Sequence, residues 1–107
     1  MTDVPATLPT KDQFFSELNS QFRARLGDGP AFDLTLVDSH VQLSTASQEC
    51  FTLLFRAPLD SEPVQSIYRL DHENLGTMEI FLVPVKKDDE GLYYEAVFNK
   101  MLSAQAK

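Results

Sequence analysis

"TKDQFFSELNSQFRARLGDG", Thr10 to Gly29, is the stretch whose reading decides the fold. Thr10 followed three residues later by Gln13 has the form of a capping box, in which each side chain answers a backbone N–H that a helix start leaves free. Phe14, Leu18, Phe22 and Leu26 recur every fourth residue and Phe15 widens the stripe, while Asp12, Glu17, Gln21 and Arg25 fall elsewhere on the wheel. That is one apolar helical face. Arg23 and Arg25 suit the negative end of a helix, and Gly27, Gly29 and Pro30 would stop it. The spacing predicts a helix whose Phe14, Leu18 and Phe22 pack on the rest of the chain.

Beyond Pro30 the chain reads as strand. "FDLTLVD" alternates from Phe32, and "HVQLST" continues it or pairs with it. "CFTLLFRA" runs from Cys50 to Ala57 and "SIYRL" from Ser66 to Leu70, the latter preceding a turn, "DHENLG". A hairpin comes next, between Met78 and Asn99. One helix and then strands with short connections predict an α+β fold: an N-terminal helix packed on a curled antiparallel sheet of five or six strands. Residues 1–9 read as a flexible arm, 10–102 as a single domain, and 103–107 as a short tail.

The hairpin poses a problem. If Val85 faces Leu92, then Val83, Phe81 and Glu79 face Tyr94, Ala96 and Phe98. On the other side Ile80, Leu82 and Pro84 then share a face with Tyr93, Glu95 and Val97, and that face is oily too. A sheet with one wet face should alternate apolar and polar. Either the sheet curls enough to cover the strand on both sides, or Ile80, Leu82, Pro84, Tyr93 and Val97 form a protein interface. Pro84 lacks an N–H and favours an edge or a bulge. A one-residue slip would mix the two sets.

The chain of 107 residues, 43% hydrophobic and 23% charged, suits one globular domain. A net charge of −7, with nine scattered Lys and Arg residues, argues against nucleic acid and anionic membrane as partners. No apolar run approaches the length of a transmembrane helix, and "MTDVPATLPTKDQ" lacks the basic start and apolar core of a secretory signal. The lone Cys50 excludes an internal disulfide. A cytoplasmic protein is expected, alone or as part of an assembled particle.

Chemistry is sparse. His40 and His72 have no metal-ligand spacing around them, so no metal or other cofactor is expected. There is no G-x-S-x-G, no phosphate loop and no C-x-x-C, so no catalytic residue is assigned. "DHENLG" reads as a turn whose side chains satisfy free amides, with Gly76 at positive φ. Glu95, on an oily face, would be poorly solvated, the setting in which a carboxyl becomes useful for proton transfer. A salt bridge to Arg56 or Arg69 is the plainer reading.

"FTLLFRAP", "YRLDHENLG", "FLVPV" and "YEAVFN", between Phe51 and Asn99, together resemble a family of small bacterial proteins known only as a domain of unknown function. The resemblance leaves the N-terminal helix out. It implies the company of phage-tail-like or tail-collar-like proteins, hence an assembly or binding role with no catalytic residue to carry over. The functional expectation is a non-catalytic interaction module that binds another protein or itself. The alternative is a small enzyme or ligand-binding roll with a pocket between helix and sheet, using Glu95 with His40 or His72.

Overall fold

The computed structural model describes the backbone of residues 8–101 and the side chains of 8–99. Most of the expected arm and all of the expected tail lie outside these residues. The elements are α1 (Lys11–Phe15), β1 (Gln21–Arg25), β2 (Phe32–Ser44), β3 (Gln48–Ala57), β4 (Ser66–His72), β5 (Gly76–Asp88) and β6 (Gly91–Met101). The strands close into an antiparallel barrel in the order β1-β2-β3-β6-β5-β4, with β1 also pairing β4.

This overturns the expected α+β fold. The capping box is there: Thr10 N donates to Gln13 Oε1 (2.8 Å) and Gln13 N to Thr10 Oγ1 (3.2 Å). Yet the helix ends at Phe15. Asn19 takes the left-handed conformation (φ 73°) that asparagine tolerates, and its N–H donates to the Leu36 carbonyl, starting a strand. A spacing of four residues is close to one helical turn, but it is also twice the two-residue repeat of a strand. Phe22 and Ala24 point inward while Gln21, Arg23 and Arg25 point out. Without β1 the sheet would keep two unpaired edges; with β1 between β2 and β4 it has none there. Leu18, expected in the core, lies in the intervening turn and is 42% exposed.

The core fills the barrel. Phe22, Leu34, Leu36, Leu53, Phe55, Leu70, Ile80, Leu82 and Tyr94 are buried within it. Phe14 plugs one end beneath Phe51 and Phe98, whose rings stack at 4.8 Å with planes 5° apart. At the other end, loops 26–31 and 58–65 frame the mouth. There Tyr68 Oη donates to the Val64 carbonyl (2.5 Å) and Tyr94 Oη to that of Glu62 (2.8 Å).

Three bulges let the two thirteen-residue strands follow the curve. They fall between Leu36 and Asp38, between Val41 and Leu43, and between Pro84 and Lys86. "HVQLS" therefore continues β2. Pro84 sits where a bulge excuses its missing N–H. The bulge shortens the hairpin loop to Asp89-Glu90, with Asp88 paired to Gly91. A Cβ on Gly91 would stand 2.3 Å from the Ala57 carbonyl oxygen, so only glycine fits there.

Below the bulge the register is Val83↔Glu95 and Pro84↔Tyr94, one residue from the expected pairing. The slip sorts the faces anew. Met78, Ile80 and Leu82 point into the barrel beside Tyr94, Ala96 and Phe98, while Phe81 and Val97 point out.

Candidate functional site

The slip divides the five residues expected to form one interface. Ile80 and Leu82 are barrel core, and Pro84 is half-buried at the bulge. Tyr93 lies on the outer wall but is nearly covered, with Lys86 Nζ 4.6 Å from its ring centre. Burial raises its phenol pKa, and the neighbouring Asp88 carboxylate adds to the effect. Asp88 itself is held below the ordinary carboxylate range, chiefly by the N–H of Glu90. Of the five, Val97 alone is a large exposed apolar group, at 59%.

Its exposed company comes from other strands. Ile67 on β4 pairs directly with Phe81 on β5, and the two are 59% and 50% exposed. The β5–β6 ladder runs from Asp88↔Gly91 only as far as Val83↔Glu95. Two residues past that last pair lie Phe81 on one strand and Val97 on the other. From there on, among the described residues, β5 pairs with β4 alone and β6 with β3 alone. The barrel wall is thus split along a seam, and Phe81 and Val97 stand on its two lips.

The expected polar trio also divides. His72 is buried at the plugged end, its ring centroid 4.3 Å from that of Phe22. Its Nδ1 accepts the N–H groups of Asn74 (3.0 Å) and Leu75 (3.2 Å), so the proton sits on Nε2, which faces Ser20 Oγ at 2.8 Å and Glu17 at 3.6 Å. Gly76 closes that turn at φ 83°. Every polar atom of the imidazole is engaged in holding two turns together.

His40 and Glu95, in contrast, meet on the outer wall. Asp38, Leu54 and Glu95 lie side by side across β2, β3 and β6, and the next row is His40, Thr52 and Val97. Asp38, Ser39, His40, Gln42, Thr52, Leu54 and Glu95 line a groove of about 230 Å³. Neither expected arginine bridges to Glu95: Arg56 lies 3.8 Å from Glu90 instead. Sequence spacing could not show this groove, because it depends on strand order and on the parity change at the β2 bulge.

A larger cavity of about 350 Å³ opens at the barrel mouth between loops 26–31 and 58–64. Its lining is mostly apolar, and the Tyr68 hydroxyl at its wall is already bound to Val64. Between α1 and the sheet, where a pocket was expected, the wholly buried Phe14 fills the space. Among the described residues no three His, Cys, Asp or Glu side chains are gathered to hold a metal. None of their helices is long and apolar enough to cross a membrane.

No curated protein and no solved structure matches the chain. A family model does, over residues 9–98, which takes in α1 and β1 as well as the C-terminal motifs. The chain belongs to the family described as a domain of unknown function, DUF6916.

Proposed function

We propose that the protein is a non-catalytic interaction module that receives an extended segment of another polypeptide along the β5–β6 seam. The observation that carries this reading is the seam itself. Among the described residues, 76–82 of β5 and 96–101 of β6 leave one backbone edge each without a cross-strand partner. An unpaired strand edge is a template for an added strand. Ile67, Phe81 and Val97 beside it supply apolar contact for alternate side chains of the incoming segment.

The partner is a separate protein or a second copy. The phage-tail-like setting rests on the resemblance of "YRLDHENLG", "FLVPV" and "YEAVFN" alone. The single half-buried Cys50 suits a reducing cytoplasm. The acidic surface favours neither nucleic acid nor anionic membrane as partner.

A displayed library of random peptides tests the reading. Panning on the wild type and counter-selection on Phe81→Glu should yield apolar, strand-forming peptides that need Phe81. Sedimentation over a wide concentration range tests for a second copy in the same seam. A protein that stays monomeric and selects no Phe81-dependent peptide would not be such a module.

A further inference from the structure

Thr52 has the one buried side-chain oxygen or nitrogen, among the described residues, that lacks a hydrogen-bond partner. It stands on the outward side of β3, between the inward Phe51 and Leu53, and is only 7% exposed. A hydroxyl cut off from water and left unmatched costs about 1–3 kcal/mol. Such a group in a native structure asks for an explanation. Here Thr52 lines the β2–β3–β6 groove, one row from the Asp38 and Glu95 carboxylates.

The arrangement is specific in charge. Asp38 and Glu95 flank Leu54 on adjacent strands, so their backbones stand roughly 10 Å apart at the usual strand spacing. One Asp38 oxygen accepts the Ser39 N–H (2.9 Å), which fixes that carboxylate at the groove's rim. Glu95 forms no ion pair with Arg56 or Arg69. His40 and Gln42 supply further acceptors, and among the described residues no Lys or Arg lines the groove. An anion would meet two negative charges there. A metal ion would lack a close ligand set. What fits is a flat or tetrahedral organic cation with several N–H donors and a short apolar stem to lie on Leu54.

We propose that the groove lined by Asp38, His40, Thr52, Leu54 and Glu95 is a binding site for a guanidinium or alkylammonium group, held between the two carboxylates. The cation draws the Glu95 side chain over the floor, and a Glu95 oxygen then accepts the Thr52 O–H. The hydroxyl that is unmatched in the free protein becomes matched in the bound one. The site lies outside the seam and does not depend on what the seam receives. The cation's source is an arginine or lysine side chain of a polypeptide, or a free amine.

Amide shifts in two-dimensional NMR spectra of the whole protein test this. The probes are propylguanidinium, a capped glycine-arginine-glycine tripeptide and its citrulline counterpart, which keeps arginine's shape without the charge. Saturable shifts at Asp38, Thr52, Leu54 and Glu95 are expected with the first two and none with the third. Tighter binding of the tripeptide would assign the cation to a polypeptide, and tighter binding of propylguanidinium to a free amine. Glu95→Gln and Asp38→Asn should each weaken binding about tenfold or more, as expected for hydrogen bonds to a charged group. Thr52→Val is the sharper variant. It removes a hydroxyl with no partner in the free protein, so melting should be unchanged or raised while binding weakens. Non-saturable shifts, equal binding of the citrulline peptide, or unchanged affinity in Glu95→Gln would overturn the site. Unchanged affinity in Thr52→Val would overturn it as well, because the unmatched hydroxyl is what the bound cation satisfies.

Discussion

Ser20 Oγ lies 2.8 Å from Nε2 of His72, a contact across 52 residues of chain at the point where β1 meets the end of β4. The same imidazole accepts the amides of Asn74 and Leu75 through Nδ1. Replacing His72 with Ala therefore strands two backbone donors and takes from Ser20 Oγ the N–H it accepts, while that hydroxyl keeps its bond to the Glu17 carbonyl. The expected loss is about 1–3 kcal/mol or more, against roughly 1 kcal/mol for Ser20→Ala, which removes one partner of the imidazole and the bond to the Glu17 carbonyl but strands no buried backbone N–H. Urea melts of the two variants compare them directly, and equal losses would mean that the Nδ1 bonds carry no weight.

The plug and the turn make opposite demands on two residues that share one apolar stripe. Phe22 is buried and packs edge-on against Phe55 at 5.3 Å, whereas Leu18 is largely exposed. Phe22→Ala should cost about 3–5 kcal/mol, and Leu18→Ala well under 1 kcal/mol, as for an ordinary surface change. Similar costs for both in denaturant melts would restore the long helix.

That contrast also explains what the sequence could and could not disclose. The Thr10–Gln13 box is a local signal and reads correctly, as do the alternating runs that form β2 to β6. From Leu18 to Leu26 the local signal is degenerate, because every fourth residue is apolar under either period. Only the pairing of Phe22 with Leu34 and of Ala24 with Leu70, partners 12 and 46 residues away, resolves it. The hairpin misleads for a related reason: one bulged residue, Val85, shifts every pair below it. Glu95 and His40 stand out by residue type, but their shared groove with Asp38 and Thr52 needs the strand order, which no local pattern encodes.

Gly91 gives a test of the hairpin turn. Its missing Cβ would lie 2.3 Å from the Ala57 carbonyl oxygen and 2.9 Å from Cγ of Arg56. Gly91→Ala must push β6 away from β3 or distort the Asp88–Gly91 turn. Overpacking of this kind costs about 1–3 kcal/mol. A variant that melts like the wild type would place the turn elsewhere in the chain.

Alkaline pH should weaken the barrel mouth. The Tyr68 phenol is raised above its ordinary value of 10.0, first by burial and then by the neighbouring Tyr94. The folded protein therefore holds this proton more tightly than the unfolded chain. Below pH 10 both states are protonated and the contribution is complete. Above pH 10 the unfolded chain ionises first, so stability falls as pH rises through the window up to the folded-state value. Tyr68→Phe loses the bond to Val64, costing about 1 kcal/mol at neutral pH, but should show a shallower alkaline decline. Parallel declines in the two proteins would separate Tyr68 from the effect, leaving the raised phenol of Tyr93 as its source.

Phe81 and Leu82 are adjacent in the chain and opposite in the barrel, so a lysine at each asks a different question. Leu82 is wholly buried and pairs with Ser66 across β4, while Phe81 pairs with Ile67 on the outer wall beside the open seam. A charge buried at Leu82 without a partner must be neutralised or expelled, either of which breaks the core. Leu82→Lys should unfold the protein or lower its melting point sharply. Phe81→Lys should leave melting within about 1 kcal/mol of the wild type, because half of the ring is already wet. It should nonetheless abolish the binding of any segment seated between β5 and β6. Far-UV circular dichroism, a melt and a binding assay on the pair separate core from surface. A folded Leu82→Lys protein beside an unfolded Phe81→Lys one would return the register to the pairing of Val85 with Leu92, and the seam would lose its Phe81 lip.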